Sequence, residues 1–302
     1  MQGGGRVSHI FSGISVAVIG GDDRQLILIE ELSKLGATVK VIGFPREILP
    51  DNVVHTNELA FVLKDANAVI LTMPGTDNNG LIRGANYVND SLYLTPELLS
   101  SLPHNTPVLV GVQSEYLKYW AHQLSLKMIE IANEDEIAIL NSIPTAEGAL
   151  EIAMRETPIT IHGSKSLVIG LGRVGLTLAR LLQSMGSQTF VTARRRACLA
   201  RGYEMGLSPV DLRDIKGCLQ QMDFIFNTVP ALVLGYDELL NIANPTLIID
   251  LASAPGGVNF KKADELGLKV IWALSLPGKV APKTAGEILA QTVPRIILKN
   301  LP

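Results

Sequence analysis

Residues 168–175 read VIGLGRVG, and this stretch decides the fold class. It has the spacing Gly-x-Gly-x-x-Gly at Gly170, Gly172 and Gly175, after an apolar run typical of a buried strand and before the amphipathic pattern VGLTLARLLQSMG. In such a junction the first glycine makes the tight turn, the second lets a diphosphate approach the backbone, and the third lets helix and strand pack closely. The helix N-terminus also attracts an anion. The stretch predicts a Rossmann-type dinucleotide site, against the simpler interpretation of a glycine turn selected only for packing.

Short apolar runs alternate with helical patterns along most of the 302 residues. The runs are rich in Val, Ile and Leu, as expected for strands covered by helices on both faces, and the segments between them are long enough for parallel crossovers. A chain of this length is typical of two domains. We therefore expect an α/β protein with two doubly wound parallel-sheet (Rossmann-like) domains and a cleft between them. The predicted strands are 15–20, 38–43, 67–72, 107–111, 127–131, 166–170, 188–192, 223–228, 246–251 and 269–272.

The strand–helix pattern restarts at residue 164, after PTAEGALEIAMRE at 144–156, which is typical of a connecting helix. A last amphipathic pattern starts near Pro282, and Pro294 should kink or restart it. We expect residues 1–150 to form an N-terminal, substrate-side domain that the C-terminal helix 282–302 packs against. Residues 151–281 should form the dinucleotide-binding domain. The Gly- and Asn-rich segment 74–95 is predicted to be a loop beside the cleft.

Composition narrows the class of protein. With 26 basic and 29 acidic residues the formal charge is −3, so no global positive field favours nucleic acid or an anionic membrane. The two cysteines indicate a reducing compartment. No secretion signal is evident at the start of the chain, and the apolar runs are too short to span a bilayer. We expect a cytoplasmic protein and assign no metal ligand.

The second strand after the glycine motif indicates which dinucleotide binds. An NAD site carries an acidic residue about 20 residues on, which bonds the ribose 2′-hydroxyl. Here that position is Thr192, the next carboxylate is Glu204, and RRR follows at 194–196. A guanidinium can hold a 2′-phosphate that a carboxylate would repel. The sequence favours NADP. Thr192 and Arg194 are best placed to bind its 2′-phosphate, and Arg195 or Arg196 would assist. The alternative is that the arginines only form the solvated basic start of a helix.

Other cofactor contacts are predicted where strands of this half end. Asp250 has two open interpretations, a cofactor contact or a structural turn former. The remaining predicted cofactor-binding residues are Arg173, Val174, Thr228, Val229, Pro230, Ala252 and Ser253.

The N-terminal half has its own glycine turn, VIGGDDRQ at 18–25, which lacks the third glycine. Two acids beside the turn would repel a diphosphate, whereas a helix N-terminus with Arg24 suits a small carboxylate. Gly21, Asp22, Arg24 and Gln25 are therefore predicted to bind substrate. The alternative that Asp22 or Asp23 only caps the helix stays open.

Further substrate contacts are expected at other predicted strand ends and at the start of the last helix. Two lysines and an arginine facing a cleft would suit a substrate with two carboxylates, although a single lysine is often only solvated surface. The candidates are Thr72, Asn141, Ser142, Thr145, Glu147, Lys279, Lys283 and Thr284.

The ordered motifs IGGDDRQ, NSIPTAEG, IHGSKSLVIGLGRVG, NTVP, IDLASAPGG and LPGKVAPKTAGEI resemble those of dipicolinate synthase A subunits from spore-forming bacteria. The resemblance runs from about residue 14 to the end, so the preceding leader is expected to have no role. It implies NADP-linked oxidation of dihydrodipicolinate, or of its hydrated precursor on the lysine pathway, to dipicolinate during spore formation. It also implies a flavoprotein-like partner, the B subunit of dipicolinate synthase. We further expect a homo-oligomer.

The sequence lacks a histidine at the position where other dehydrogenases place their acid–base residue, and this chemistry explains why none is needed. Aromatisation of the ring drives the reaction, so the protein has chiefly to orient its ligands. The segment WALSLPGK has no histidine where 2-hydroxyacid dehydrogenases place their acid–base residue, and we assign none of the five histidines to catalysis. Glu147 and Lys279 are the candidate proton carriers. Two alternatives remain, another NADP-linked two-domain dehydrogenase of a small acid and a dinucleotide-binding regulatory subunit.

Overall fold

The computed structural model describes residues 9–87 and 91–302. The chain divides into two units, Met1–Ile137 with Pro282–Pro302 (unit 1) and Ala138–Ala281 (unit 2). The helices are α1 (Asp23–Lys34), α2 (Leu59–Leu63), α3 (Pro96–Ser100), α4 (Glu115–Gln123), α5 (Asp135–Glu156), α6 (Arg173–Ser184), α7 (Arg196–Glu204), α8 (Lys216–Leu219), α9 (Tyr236–Leu239), α10 (Phe260–Glu265), α11 (Leu276–Val280) and α12 (Pro282–Asn300).

Unit 1 contains a six-stranded sheet in the order β3-β2-β1-β4-β5-β6. Every pairing is parallel, and the register of the central pair places Val16 beside Val39. This strand order is that of a Rossmann fold. The strands are β1 (Ser15–Ile19), β2 (Thr38–Ile42), β3 (Val54–His55), β4 (Ala68–Ile70), β5 (Pro107–Val110) and β6 (Lys127–Glu130).

Unit 2 repeats the arrangement in the order β12-β11-β10-β7-β8-β9, again entirely parallel. Read from β9, it matches the unit 1 order strand for strand. The strands are β7 (Lys165–Ile169), β8 (Gln188–Ala193), β9 (Ser208–Asp211), β10 (Phe224–Asn227), β11 (Leu247–Asp250) and β12 (Lys269–Trp272). The predicted class, two doubly wound parallel-sheet domains, is confirmed.

Each sheet has an apolar cluster on both faces, which explains why its central strands are continuous runs of aliphatic residues. The predicted packing of the last helix on the N-terminal domain is confirmed. In unit 1, α12 packs against α1, with Leu289 and Val293 in the same cluster as Leu28 and Leu32. Gly286 permits this approach, because a Cβ there would lie 3.1 Å from the Arg24 Cα and 2.6 Å from a side-chain atom of α1. The close contact fixes the last helix on unit 1.

Several local predictions need correction. The leader does have a structural role in its described part, since Phe11 is fully buried in the unit 1 core and its N–H donates to the Leu35 carbonyl at 3.0 Å. Residues 88–90 of the predicted loop 74–95 lie outside the described residues. The last helix continues through Pro294, so a restart there is wrong. No described helix is both long and apolar enough to cross a bilayer.

The helix predicted over 144–156 is longer than expected. It is the second half of α5, which begins at Asp135 and contains Pro144. The four residues that we placed at a strand end therefore lie on this helix, which is a correction of their position: Asn141, Ser142, Thr145 and Glu147.

Candidate functional site

The glycine turn between β7 and α6 leaves open space at the N-terminus of a helix. Gly170 has a φ of +96°, and a Cβ at Gly175 would lie 1.9 Å from the Gly170 carbonyl oxygen, so the fold requires both glycines. Gly172 differs, because no atom of the described residues lies within 4 Å of where its Cβ would be. No described side chain caps α6 at Gly172. Open space next to an uncapped helix N-terminus fits the diphosphate of a dinucleotide.

A cavity of about 340 Å³ extends from this turn to the end of β8. It contains six of the predicted cofactor-binding residues, namely Gly170, Gly172, Thr192, Arg194, Arg195 and Val229. The rest of its lining is largely apolar, as is usual for small-molecule sites. These other residues are Ile169, Leu171, Ala193, Cys198, Leu212, Ala231, Leu232 and Val233.

The end of β8 presents two cationic side chains to this cavity, and none of the described residues that line it is acidic. Arg194 and Arg195 are exposed, and neither forms an ion pair with any acidic residue in the described part of the chain. Arg196 differs, because its Nη2 lies 3.3 Å from Asp211 at the end of β9. Asp211 also binds Arg213 at 2.8 Å, and the hydrogen bonds from Arg213 lower the pKa of its carboxyl. Of the three arginines, Arg194 and Arg195 are therefore the ones available to a ligand.

Thr192 is fully buried in the same wall. Its Oγ1 has no hydrogen-bond partner among residues 9–87 and 91–302. Buried hydroxyl groups are normally paired, so the protein by itself leaves this group of the cavity wall without its usual partner.

Asn227 and Asp250 are hydrogen-bonded to each other behind the turn, and Thr228 bonds separately to the backbone that leads into it. The Thr228 hydroxyl donates to the Ile169 carbonyl at 2.9 Å, which links β10 to β7. Asp250 has no exposed surface and accepts from Asn227 Nδ2 at 2.8 Å, Ala252 N at 3.0 Å and Gly257 N at 2.7 Å. Of its two interpretations, the structural one is therefore present in the fold, and cofactor contact by Asp250, Ala252 or Ser253 stays a prediction. So does contact by Arg173, Val174 and Pro230.

The first glycine turn, in unit 1, is already closed by its own side chains. Asp22 caps α1 by accepting from Arg24 N at 3.0 Å, and Gln25 Oε1 accepts from Asp22 N at 3.1 Å. The Arg24 guanidinium binds the same carboxylate, with Nη2–Oδ2 at 2.6 Å and Nε–Oδ1 at 2.9 Å, and Arg24 is only 8% exposed. The capping alternative is thus correct for Asp22. A carboxylate ligand of Arg24 would have to compete with this internal pair.

The loop that follows β4 is fixed over this turn. The Thr72 hydroxyl is 1% exposed and donates to the carbonyls of Arg83 at 2.5 Å and Gly75 at 3.2 Å. The Tyr87 hydroxyl donates to the Asp23 carboxylate, and this bond is the main reason that the Tyr87 pKa rises to about 12. Thr72 therefore has a structural role in the loop, and a role in substrate binding stays a prediction.

The remaining candidates are spread over three helices. In α5 the Ser142 hydroxyl lies 2.7 Å from the Thr177 hydroxyl, and the Thr145 hydroxyl donates to the Asn141 carbonyl at 2.7 Å. Asn141 Oδ1 is buried and has no partner in the described part of the chain. The exposed candidates are Glu147 in α5, Lys279 in α11, and Lys283 and Thr284 in the first turn of α12.

Comparison with known proteins identifies the family. Residues 15–132 match the N-terminal domain of the dipicolinate synthase A subunit. The chain is 37% identical over 289 residues to the dipicolinate synthase A subunit of Bacillus subtilis (strain 168), which covers 95% of this chain and 97% of that protein. The chain belongs to the family of dipicolinate synthase A subunits.

Solved structures of dipicolinate synthase A subunits agree with this assignment. The protein from Bacillus halodurans superposes with a TM-score of 0.92 at 36% identity, over 95% of this chain and 98% of that one. The structure of the Bacillus subtilis protein gives 0.90 at 37% identity, over 95% and 97%. A transhydrogenase from Sinorhizobium meliloti gives 0.66 at 13% identity, over 95% and 96%, and shares the fold alone.

Residues 145–241 match the NAD-binding domain of D-isomer specific 2-hydroxyacid dehydrogenases. This member of the dipicolinate synthase family thus binds a nicotinamide dinucleotide and has a dehydrogenase-type role. The match includes the glycine turn, both free arginines and Thr192.

Sequence reasoning missed part of the site. Asn227 directly precedes the predicted cofactor contacts Thr228, Val229 and Pro230. Its sequence neighbourhood does not reveal that its side chain is buried and hydrogen-bonded to Asp250. The apolar wall residues Leu212, Ala231, Leu232 and Val233 lie in loops and near the short strand β9, where no periodicity marks them.

Proposed function

We propose that this chain oxidises dihydrodipicolinate, or its hydrated precursor, to dipicolinate with NADP as the hydride acceptor. The observation that carries the proposal is the 37% identity with a dipicolinate synthase A subunit over nearly the whole chain, combined with a dinucleotide cavity that offers free arginines instead of a carboxylate.

The choice of NADP follows from charge at the end of β8. A phosphate on the ribose needs cationic donors, and Arg194 and Arg195 have no competing internal partner among the described acidic residues. Thr192 supplies an unpaired hydroxyl in the same wall. The open turn at Gly172 and the N-terminus of α6 would hold the diphosphate.

The chain's contribution to the reaction is mainly binding and orientation. When bound, NADP supplies the site that accepts the hydride lost by the ring. Formation of an aromatic product favours the reaction, so a strong base is unnecessary and the protein has to place two ligands correctly. We propose Glu147 and Lys279 as proton carriers, and both side chains are exposed to solvent.

The two carboxylates of the substrate need cationic or N–H donors. We propose the unit 1 turn, with Gly21, Arg24 and Gln25, and the start of α12, with Lys283 and Thr284. Arg24 is already paired with Asp22. A substrate carboxylate that binds Arg24 must therefore displace Asp22 or bind the guanidinium together with Asp22. Lys283 is less constrained, because its acidic neighbour Glu287 lies 4.0 Å away on an exposed surface.

We also propose that the chain acts with a B subunit, because the Bacillus subtilis relative is named as the A subunit of its synthase. A homo-oligomer and a cytoplasmic location remain predictions.

The direct test of this function is a reaction with freshly generated dihydrodipicolinate. The purified chain, alone and with the B subunit, is mixed with NADP or NAD, and reduced nicotinamide and dipicolinate are measured by absorbance. We expect equal amounts of both products from the chain alone, with kcat/KM about 10-fold or more higher for NADP. Reduction that requires the B subunit would instead support the regulatory alternative, and oxidation of 2-hydroxy acids in place of dihydrodipicolinate would support the other dehydrogenase.

Cofactor preference is tested by Arg194→Asp. Loss of a charged contact to the 2′-phosphate should raise KM for NADP by about 10- to 100-fold, equivalent to ~1.4–2.8 kcal/mol, with little change for NAD. Arg201→Asp is the matched control, since Arg201 lies on the last turn of α7, is exposed and pairs with Glu204. Equal effects of Arg194→Asp on both cofactors would remove the 2′-phosphate assignment.

A further inference from the structure

The wall of the dinucleotide cavity contains a thiol. Cys198 is the third residue of α7, its N–H donates to the Arg195 carbonyl at 3.0 Å, and its side chain is partly exposed. It lines the cavity together with Arg194 and Arg195. The function proposed above assigns no role to this side chain.

The cavity shows independent evidence of a ligand. Thr192 is fully buried, yet its Oγ1 has no hydrogen-bond partner in the described part of the chain. Thr192 itself lines the cavity that Cys198 also borders.

Cys198 is accessible to reagents that enter the cavity, because its side chain is partly exposed and lines that space. The two guanidinium groups of the same wall have no acidic partner among the described residues. The second cysteine, Cys218, provides an internal contrast. It is 6% exposed, its thiol donates to the Ile215 carbonyl at 3.1 Å, and burial raises its pKa. Buried thiols of this kind react slowly.

We propose that Cys198 is a thiol-modification site, and that its modification and dinucleotide binding exclude each other. The reagent class is a low-molecular-weight disulfide. The Cys198 sulfur attacks one sulfur of the disulfide, a new S–S bond forms, the old one breaks, and the released thiolate takes up the proton lost by Cys198. The cysteine sulfur is oxidised and the departing sulfur is reduced, and excess thiol reverses the step.

This arrangement would make the protein sensitive to thiol oxidation. An adduct on Cys198 occupies part of a cavity of about 340 Å³, so the dinucleotide loses space in its own site. Conversely, a bound dinucleotide covers the thiol. The inference rests on the dinucleotide site of the proposed function, and it is independent of the substrate and of the choice between NADP and NAD.

The first experiment measures labelling rates. The full chain is treated with N-ethylmaleimide with and without saturating NADP or NAD, and each cysteine is quantified by peptide mass spectrometry. We expect Cys198 to react about 10-fold or more faster than Cys218. Saturating dinucleotide should slow Cys198 by about 10-fold or more and leave Cys218 unchanged.

The second experiment measures the reciprocal effect. The chain is treated with glutathione disulfide, and NADP affinity is measured by calorimetry before treatment, after treatment and after reduction with dithiothreitol. Affinity should fall by about 10-fold or more and recover on reduction. In the Cys198→Ala variant, NADP affinity should be the same before and after treatment with glutathione disulfide.

Two outcomes would overturn the inference: labelling of Cys198 at an unchanged rate under saturating dinucleotide, or unchanged NADP affinity in chain shown by mass spectrometry to be modified at Cys198. Equal protection by NAD and NADP would leave the inference in place while contradicting the NADP preference, so the two proposals fail separately.

Discussion

Alanine replacements at Gly172 and Gly175 should separate the binding role of the glycine turn from its folding role. At Gly172 the backbone φ of −85° suits any residue and no atom lies within 4 Å of the new Cβ, so the free energy of unfolding should change by less than about 0.5 kcal/mol. The added methyl group nevertheless occupies the open space beside the N-terminus of α6. If the diphosphate lies there, NADP affinity should fall by about 10-fold or more, or ~1.4 kcal/mol.

Gly175→Ala should mainly reduce the stability of the fold. Its Cβ would lie 1.9 Å from the Gly170 carbonyl oxygen, so the helix and the turn must move apart by more than about 1 Å to reach ordinary contact. Overpacking of this kind costs about 1–3 kcal/mol, and for a unit of this size we expect Tm to fall by roughly 2–12 °C.

The assays are calorimetric titration with NADP and thermal unfolding of both variants and the unmodified chain. Wild-type NADP affinity in folded Gly172→Ala would refute the reasoning, because the diphosphate would then lie elsewhere. A large loss of stability in Gly172→Ala would show that the space beside this glycine is not open.

Three further predictions concern the networks around the two turns. Asp250→Asn should destabilise unit 2 by about 2–4 kcal/mol in chemical denaturation, because an amide must turn its NH₂ group towards one of the N–H donors that the carboxylate now accepts from. Tyr87→Phe should lower the stability of unit 1 at pH 7 by about 1 kcal/mol, measured by thermal unfolding. Since the Asp23 bond raises the Tyr87 pKa from 10.0 to about 12, this contribution is full below pH 10 and is lost between pH 10 and about 12, so the difference between wild type and variant should disappear there. Calorimetry with dipicolinate should show tighter binding in Asp22→Asn, because this variant keeps the helix cap but frees the Arg24 guanidinium. Binding should be weaker in Arg24→Ala. Identical affinities in the two variants would contradict a role for Arg24.

Most strands could be predicted from the sequence, because a strand that is buried on both faces of its sheet is a continuous run of apolar residues. Strands such as β1 and β7 are uninterrupted aliphatic runs, and each was predicted to within a residue at either end. Two of the four edge strands, β3 and β9, were missed. Val54–His55 has only two residues and Ser208–Asp211 reads SPVD, so neither carries an apolar run.

The lining of the candidate cofactor cavity could be predicted only where it follows fixed spacing in the sequence. The three glycines and the arginines after β8 follow fixed offsets from strand ends, so counting residues finds them. The pairing of Arg24 with Asp22 depends on which rotamers the folded turn allows, and the bond of Asn227 to Asp250 joins residues that are 23 positions apart on neighbouring strands. The helix predicted over 144–156 is too short because α5 begins at Asp135 and accommodates Pro144 in its interior, where proline usually interrupts a helix.

Calorimetric titration of the unmodified chain with NADP and with NAD isolates the ribose 2′-phosphate, the only group by which the two ligands differ. If Arg194 and Arg195 bind that phosphate, NADP should bind about 10-fold or more tightly than NAD, and the difference should shrink as salt concentration rises. NAD binding as tightly as NADP, or more tightly, would contradict the assignment of the β8 arginines and with it the proposed cofactor.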